Sequence, residues 1–384
     1  MPESDLIDRL RLARTEGVGP VTYRRLLARF GDAARALEAL PRLARAGGRA
    51  DPPAIPAPDA ARRELDHIAA VGGRIVTLGE LDYPPLLALL DDAPPVLLVQ
   101  GDMTCLAARA VALVGGRNAS ANGQRIAEDL GAGLAAAEIT VVSGMARGID
   151  AAAHRGALSA GRTIAVVAGG LDTPYPPEHT DLQRQIAASG AVVTEAPPGT
   201  VPLARHFPRR NRIIAGLTLG VVVVEAAPRS GSLITARLAA EAGREVMAVP
   251  GSPLDPRSRG GNDLLRQGAT LVETAEDVLA NLPERPTPGG ALLFAGVATP
   301  DTRAGVSEPS PTPLAQSDSA ADPSAALTQL LELLGPSPTA VDAVMRRCQL
   351  PAPAVMAALL ELELAGRIET LPGGRVAVLT DPPV

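Results

Sequence analysis

The sequence predicts an α/β fold in which a doubly wound parallel sheet is flanked by two smaller domains. Short β-branched runs alternate with helical patterns between residues 74 and 282, as in a parallel sheet that is covered on both faces. Residues 1–65 show helical periodicity alone, and residues 324–384 fit three helices followed by a hairpin. With 384 residues and 46% hydrophobic side chains, the chain can bury more than one core.

The predicted N-terminal domain, residues 1–65, is helical. Apolar residues recur at helical spacing in two segments, at Leu6, Leu10 and Ala13 and then at Tyr23, Leu26, Leu27 and Phe30. The glycines and proline at positions 17–20 separate these segments and resemble the turn of a helix-hairpin-helix (SAM-like) domain, whose amides can bind a phosphate. A purely structural turn explains them equally well, so we assign no site residues to this domain.

The predicted central domain, residues 74–282, is an extended Rossmann-like domain. Its strands are predicted from eight short runs, each followed by a turn or a helical pattern. These runs are Arg74–Leu78, Val96–Val99, Val111–Val114, Thr140–Ser143, Thr163–Val167, Ala191–Thr194, Val221–Val224 and Val246–Val249.

The predicted C-terminal domain, residues 324–384, resembles a winged helix and follows a Pro- and Ser-rich segment, residues 283–323, that we interpret as a flexible linker. Its predicted helices are Ala325–Leu334, Thr339–Cys348 and Pro353–Leu364, and its hairpin turns at Pro372-Gly373-Gly374. The domain carries four arginines against six acids, and its third helix has Glu361 and Glu363 but no basic residue. Contact with a protein, or with the rest of the chain, is therefore favoured over reading of a DNA groove.

The composition excludes several enzyme classes. All 36 basic residues are arginine, because the sequence contains no lysine. The P-loop lysine, Schiff-base chemistry and Ser-Lys catalysis are therefore ruled out. The sequence also holds no complete dinucleotide fingerprint, no G-x-S-x-G turn and no metal-ligand spacing among its four histidines. We expect no metal, no cofactor and no enzymatic activity.

One pair of residues, Asp150 and His154, could act as an acid and a base, since they lie one turn apart on a predicted helix. We favour the simpler interpretation, a capping carboxylate and a histidine that it orients.

The sequence favours a cytoplasmic protein without a membrane anchor. Cys105 and Cys348 lie far apart without a partner motif, which fits a reducing compartment. The first residues lack a secretory pattern, and the longest apolar stretch, residues 215–224, is too short to span a bilayer. Because the formal net charge is −6, a surface for nucleic acid has to be a local basic patch.

Glycine-rich loops with arginine or hydroxyl side chains follow several of the predicted strands. In a doubly wound sheet, such loops bring backbone amides and helix N-termini to an anion at the carboxyl ends of the strands. This arrangement favours an anion site over turns that serve packing alone. The residues concerned are Gly115, Gly116 and Arg117 after one strand, Ser143, Gly144 and Arg147 after the next, and Ser230, Gly231 and Ser232 after a later one.

A basic segment, residues 203–214, is the strongest local signal for nucleic acid. Residues 101–280 hold 17 arginines and 17 acids, yet no acid occurs between Glu195 and Glu225. Arginines that hold phosphates beside an aromatic ring that stacks a base are typical of single-strand binding. A salt-bridged helix start with a buried phenylalanine explains the pattern equally well on charge alone. The candidate residues are Phe207, Arg209, Arg210, Asn211 and Arg212.

Taken in order, these motifs resemble the DNA-processing protein A family (DprA, also called Smf). The resemblance covers residues 80–280 densely. It includes the Gly115-Gly-Arg117 turn, the Ser143–Asp150 loop, Gly169-Gly-Leu-Asp172 with Tyr175-Pro176, the Phe207–Leu217 segment, and Ser230-Gly-Ser-Leu-Ile-Thr-Ala236. The flanking domains are similar to the accessory domains of this family, although they are less diagnostic.

The resemblance implies a protein that binds single-stranded DNA without sequence preference, forms a homodimer, and loads the recombinase RecA onto incoming strands during natural transformation. It implies a DNA pocket built from the candidate residues named above. Two departures matter here. Gly116 replaces a small hydroxyl residue, so only a backbone amide could contact phosphate there, and Pro177-Glu178-His179 stands where relatives often carry a basic residue.

Two rival functions come from other classes. A Rossmann-fold nucleotide phosphoribohydrolase would use a turn like Ser230-Gly-Ser232, but residues 233–238 lack the glutamate that should follow it. A sequence-specific regulator would read duplex DNA through the winged helix, which the acidic charge of that domain disfavours.

Overall fold

The computed structural model describes residues 2–284 and 327–379, apart from residues 328, 329, 332, 336, 349, 372 and 373. The described part of the chain forms two compact units. The first unit contains residues up to Arg14 and residues from Pro56 to Glu284, and the second contains Thr15–Ile55 together with the C-terminal residues. The structure thus divides the chain inside the predicted helical domain, whereas the predicted boundaries kept residues 1–65 together.

The helices of both units are numbered in chain order. They are α1 (Glu3–Arg14), α2 (Pro20–Phe30), α3 (Ala33–Ala46), α4 (Pro58–Ala70), α5 (Pro85–Ala88), α6 (Ala121–Ala136), α7 (Ile149–Ala160), α8 (Thr180–Ser189), α9 (His206–Gly216), α10 (Ser232–Glu241), α11 (Arg259–Arg266), α12 (Ala275–Ala280), α13 (Val341–Arg347) and α14 (Ala352–Leu364). Two short 3₁₀ helices cover Met103–Ala107 and Pro177–His179.

A nine-stranded sheet forms the centre of the first unit. Its strands lie in the order β1-β2-β6-β5-β4-β3-β7-β8-β9. They are β1 (Gly73–Thr77), β2 (Val96–Gly101), β3 (Ala110–Val114), β4 (Thr140–Ser143), β5 (Thr163–Val166), β6 (Ala191–Thr194), β7 (Gly220–Val223), β8 (Glu245–Ala248) and β9 (Thr270–Leu271).

The predicted doubly wound parallel sheet is confirmed, with one difference at an edge. Neighbouring strands from β3 to β9 pair in parallel, but β1 with β2 and β2 with β6 pair antiparallel. The sequence did not reveal this difference because a strand that is buried on both faces has the same apolar pattern in either direction.

Alternate residues of β3 pack into cores on opposite faces of the sheet. Ala112 and Val114 belong to a core that includes Ile213 of α9. Val111 and Leu113 belong to the core on the other face, which includes residues of α6 and α7. Both faces of the sheet are therefore covered, and ligands can reach it only at the strand ends.

The second unit contains a winged helix, as predicted. Its strands β10 (Thr339–Ala340), β11 (Ile368–Leu371) and β12 (Arg375–Val378) form an antiparallel sheet in the order β10-β12-β11. The described residues 327, 330, 331 and 333 are helical within the first predicted helix. The predicted linker lies outside the described residues, except for residues 283 and 284.

The third helix of the winged helix, α14, packs on α2 and α3 of the same unit. A Cβ atom added to Gly47, after the end of α3, would lie 2.0 Å from the carbonyl oxygen of Glu361, so only glycine permits this close approach. Leu360 and Leu364 are buried, although they are not part of the winged-helix core. The helix that reads DNA in many winged helices is therefore covered here by the same chain.

Within the described ranges, we find no helix that combines the length and the apolar composition needed to cross a membrane.

Candidate nucleic-acid interface

A cavity of about 520 Å³ opens at the carboxyl ends of β3 and β7. The chain runs from β3 outward to β6 on one side, and then returns through β7 to β9 on the other side. Such a switch point is where doubly wound sheets bind ligands. Nine of the predicted site residues line the cavity, namely Gly115, Gly116, Arg117, Phe207, Arg210, Asn211, Ser230, Gly231 and Ser232.

Glu225, at the end of β7, fixes the loop that carries Arg117. The Ser120 amide and hydroxyl donate to the Glu225 carboxylate at 2.7 and 2.8 Å. Ser120 Oγ in turn accepts from the Gly123 amide at 2.9 Å, which caps α6. The amide of Gly116 donates to the Glu225 carbonyl oxygen at 2.6 Å. The expectation that this amide contacts a phosphate is therefore wrong in this structure, because the amide already has a partner.

Two arginines and a tyrosine surround the ring of Phe207. The guanidinium carbon of Arg117 lies 4.7 Å from the ring centroid, and that of Arg210 lies 5.9 Å from it. The ring of Tyr175 lies at a centroid distance of 5.6 Å and is tilted by 58°. These contacts hold the exposed Arg117 side chain at the cavity.

Arg210 is a buried cation in the wall of the cavity, 6% exposed. Its guanidinium donates to the carbonyl oxygens of Gly144 and Val166 and to Oδ1 of Asn211. Any Cβ at Gly144 would lie 2.4 Å from the Arg210 guanidinium, so glycine is needed for this approach. Gly144 thus supports Arg210 and does not itself line the cavity.

The charge of Arg210 is poorly compensated. Burial lowers the pKa of Arg210 to about 10. The charge of Asp150 opposes this shift, and the charge of Arg117 adds to it. Burial raises the pKa of Asp150 in turn, although Arg210 opposes that shift. Neither Arg117 nor Arg210 forms an ion pair with any carboxylate in the described part of the chain. An anion in the cavity would stabilise both guanidinium groups.

The turn before α10 brings two hydroxyl groups to the cavity. Ser230 Oγ and Ser232 Oγ lie 2.7 Å apart, and the carbonyl oxygen of Gly231 accepts from Asn211 Nδ2 at 3.3 Å. The Leu233 and Ile234 amides donate to backbone carbonyls at 3.1 Å each. The turn can therefore offer its two hydroxyls to a phosphate, whereas these two amides already have partners.

Two further arginines that the sequence reasoning missed line the cavity, Arg229 and Arg257. Arg229 is exposed and directly precedes Ser230. Its place next to a predicted site residue was the sequence signal by which it could have been identified. Arg257 lies in the loop after β8 and pairs with Asp255 at 2.8 Å. No local motif marked it, because the fold of that loop brings it to the cavity.

Arg212 and Arg209 require a correction. Arg212 is buried, and its guanidinium contacts the Glu195 carboxylate and the Asp92 carbonyl oxygen. Arg209 is exposed, but its Nε lies 3.7 Å from the same Glu195 carboxylate. Neither residue lines the cavity. The sequence showed an excess of positive charge here, but not that Glu195 and Asp92 approach it in space, so we remove Arg212 from the DNA-contacting set.

Ser143 and Arg147 also differ from the prediction. Ser143 is fully buried, and its hydroxyl donates to the Leu113 carbonyl oxygen at 2.6 Å, which joins β4 to β3. Its hydroxyl is therefore not available to a phosphate. Arg147 is exposed and pairs with Glu178, which stands where relatives often carry a basic residue. The hydrogen bond from Arg147 lowers the pKa of Glu178. The pair leaves less positive charge at this rim than the sequence indicated.

The interpretation of Asp150 and His154 is corrected in part. Asp150 lies in the first turn of α7 and accepts from the Ala146 amide at 3.3 Å. His154 Nδ1, however, lies 2.7 Å from Thr163 Oγ1, so Thr163 orients the ring. Burial lowers the pKa of His154 to about 3. His154 is therefore neutral at physiological pH.

The chain matches three family models. A model described as DNA recombination-mediator protein A matches residues 74–283. A DprA-like N-terminal HHH domain matches residues 3–66, and a DprA winged helix domain matches residues 311–374.

Characterised relatives and a solved structure agree with these matches. Protein Smf of Escherichia coli is 43% identical over 296 residues, which cover 77% of this chain and 74% of that protein. DNA processing protein DprA of Streptococcus pneumoniae is 48% identical over 52% of this chain and 70% of its own length. The X-ray structure of DprA from Streptococcus pneumoniae superposes with a TM-score of 0.63 at 36% identity, and the match covers 74% of this chain and 99% of that one.

Proposed function

Because the chain belongs to the DNA-processing protein A family, we propose that its strand-end cavity binds single-stranded DNA without sequence preference. The observation that carries the proposal is the pair Arg117 and Arg210, which meet on one phenylalanine ring and form no ion pair with a carboxylate among the described residues. A phosphodiester would supply the missing negative charge.

The shape of the cavity favours a single strand over a duplex. A volume of about 520 Å³ accommodates a nucleotide or two but not the width of a double helix. A flexible strand can bend a phosphate into the cavity while its bases lie at the rim. Guanidinium and hydroxyl groups contact the phosphate, which is the same for every base, so sequence preference is expected to be weak.

A salt titration tests this proposal. Arg117→Ala should weaken binding of single-stranded oligonucleotides of every sequence alike. The slope of log affinity against log salt should become less negative by about 0.7, since one phosphate contact is lost. Fluorescence anisotropy at several salt concentrations measures both quantities.

The matched control is Arg125→Ala, because Arg125 is an exposed arginine of α6 that does not line the cavity. It should leave both the affinity and the slope unchanged. Equal behaviour of the two variants would contradict the proposal.

The more specific role is that the protein acts in the cytoplasm as a homodimer that loads RecA recombinase onto the bound strand during DNA uptake. Family membership supports this role. Sedimentation of the purified protein and RecA filament formation on DNA that it covers would test the two parts separately.

The rival enzymatic function finds less support. The described carboxylates that line the cavity are Asp150 and Glu225. Glu225 is held by Ser120, and Asp150 is buried beside Arg210. Release of free base from a nucleoside monophosphate would favour the phosphoribohydrolase instead.

A further inference from the structure

Phe207 has little ring surface left for a DNA base. Arg117 lies over the ring at 4.7 Å, Tyr175 at 5.6 Å and Arg210 at 5.9 Å from its centroid. A base could stack on the face beneath Arg117 only by displacing that guanidinium, which the proposed function requires for phosphate. The two tasks, holding the arginine and stacking a base, therefore compete for one ring.

Tyr175 offers the surface that Phe207 lacks. It is 43% exposed, and its hydroxyl makes no hydrogen bond within the described ranges. It lies in the loop after β5, next to the cavity wall, because its ring contacts Phe207. An exposed aromatic ring beside a phosphate-binding arginine is the arrangement that grips single strands.

The segment before α9 also exposes apolar residues. The Gly170 amide donates to the Thr200 carbonyl oxygen at 3.0 Å, so the loop of Tyr175 lies against the segment before α9. That segment exposes Val201 by 65% and Leu203 by 45%. The exposed Arg205 follows two residues after Leu203. Apolar surface flanked by positive charge fits the base faces and phosphates of a strand that leaves the cavity.

We propose that Tyr175 is the ring on which a base of the bound strand stacks, and that Phe207 is a positioning residue that holds the Arg117 guanidinium. This inference rests on the proposed function, since it names the residue that takes the base next to the phosphate in the cavity. The occupant is a nucleobase of any kind, because every base has an aromatic face.

Substitutions at Tyr175 separate stacking from charge. Tyr175→Ala should weaken binding of oligothymidylate by roughly tenfold, while the salt slope stays unchanged. It should not affect an abasic oligonucleotide of the same length, which has no bases to stack. Tyr175→Phe should bind like the unmodified protein, because it keeps the ring.

Phe207→Leu should behave like a charge variant. It should weaken binding of oligothymidylate and of the abasic strand alike, since Arg117 loses its support. It should also make the slope of log affinity against log salt less negative. If instead Phe207→Leu loses affinity only for the strand with bases, while Tyr175→Ala changes nothing, Phe207 is the stacking ring and the inference is wrong.

A fluorescent substitution gives a direct readout. The chain contains no tryptophan, so Tyr175→Trp introduces a single indole. Stacking of a base should quench its emission on addition of oligothymidylate but not of the abasic strand. The control is Leu81→Trp at a fully exposed position before α5, which should not respond. Absence of quenching at position 175 would overturn the inference.

Failure of the proposed function gives a different pattern. In that case neither oligonucleotide binds measurably, or Arg117→Ala binds both as tightly as the unmodified protein does. If binding is intact and salt-dependent but Tyr175→Ala leaves the affinity unchanged, only the stacking role of Tyr175 is rejected.

Discussion

The strand-end cavity and the surface where α14 packs on α2 and α3 both contain arginines, but the two surfaces differ in how closely carboxylates approach these charges. In the second unit, Arg25 lies 3.4 Å from Glu363, and Glu361 lies within the electrostatic reach of Arg29 and Arg42. In the cavity, Arg117 and Arg210 share a phenylalanine ring and have no ion-pair partner among the described residues. Pairing, and not the number of arginines, decides which surface is left to bind an anion.

The difference also reverses the usual expectation for a winged helix. The domain that commonly reads DNA uses its third helix for contact within the chain, with glutamates facing arginines. The sheet domain, whose charges balance overall, keeps a local excess at one edge. A local excess is enough because screening by salt confines electrostatic attraction to about 10 Å.

Matched replacements of one arginine in each region should have opposite effects. Arg117→Met removes an exposed cation that has no ion-pair partner among the described residues, so single-strand affinity should fall at least tenfold, while the free energy of unfolding changes by less than about 1 kcal/mol. Arg25→Met leaves Glu363 mostly buried without its partner. The free energy of unfolding should then fall by about 2 kcal/mol, with DNA affinity unchanged.

Chemical denaturation and anisotropy titration on the same two preparations measure these effects. The contrast between the two regions is wrong if Arg25→Met weakens DNA binding as strongly as Arg117→Met does. It is also wrong if Arg117→Met lowers the free energy of unfolding as much as Arg25→Met does.

The contact between α3 and α14 provides a second test, with an effect on stability alone. Gly47→Ala places a Cβ atom 2.0 Å from the Glu361 carbonyl oxygen, so α3 and α14 must move apart. We expect a loss of about 1–3 kcal/mol in unfolding free energy. Gly335→Ala in the same unit is the control, since no atom lies within 4 Å of its added Cβ. Equal stability of the two variants would show that the close approach is not needed.

Local sequence patterns predicted the sheet well because buried strands are marked by their own residues. The predicted strands Thr140–Ser143 and Ala191–Thr194 agree with β4 and β6 at both ends. The strand predicted at Val96–Val99 extends to Gly101, because Gln100 and Gly101 pair antiparallel with β6. Such pairing depends on a distant strand, and local patterns do not show it.

The site was predicted less completely, for the same reason. Phe207, Arg117 and the turn at Ser230 line the cavity as expected, since each follows a strand or begins a helix at the carboxyl edge. Arg212 was assigned to DNA, but its partners come from Glu195 and Asp92, the latter 120 residues away. Its burial is a tertiary effect that charge counting along the chain could not predict.

The two regions should also respond to pH in opposite directions. Burial lowers the pKa of His154 from 6.5 to about 3. A histidine shifted in this way stabilises the fold fully above pH 6.5, and this contribution is lost as the pH falls toward about 3. Burial raises the pKa of Glu363 instead, and Arg25 opposes this shift. The contribution of Glu363 to the stability of the fold is therefore present below the pKa that Glu363 has in the unfolded chain. It is lost as the pH rises through the higher pKa that Glu363 has in the folded protein.

Hydrogen exchange measured between pH 6.5 and pH 5 can resolve these opposite contributions, because it reports on each region separately. Relative to His154→Asn, which cannot take up the proton, the unmodified protein should lose protection in β4 and β5 by about 1.4 kcal/mol for each pH unit of acidification. Relative to Glu363→Gln, it should gain protection in α14 as the pH falls. Each variant is compared with the unmodified protein at the same pH, which removes the intrinsic pH dependence of exchange. A His154→Asn variant that loses protection as steeply as the unmodified protein would show that other groups in the sheet domain control its acid sensitivity, and would remove this contrast between the two units.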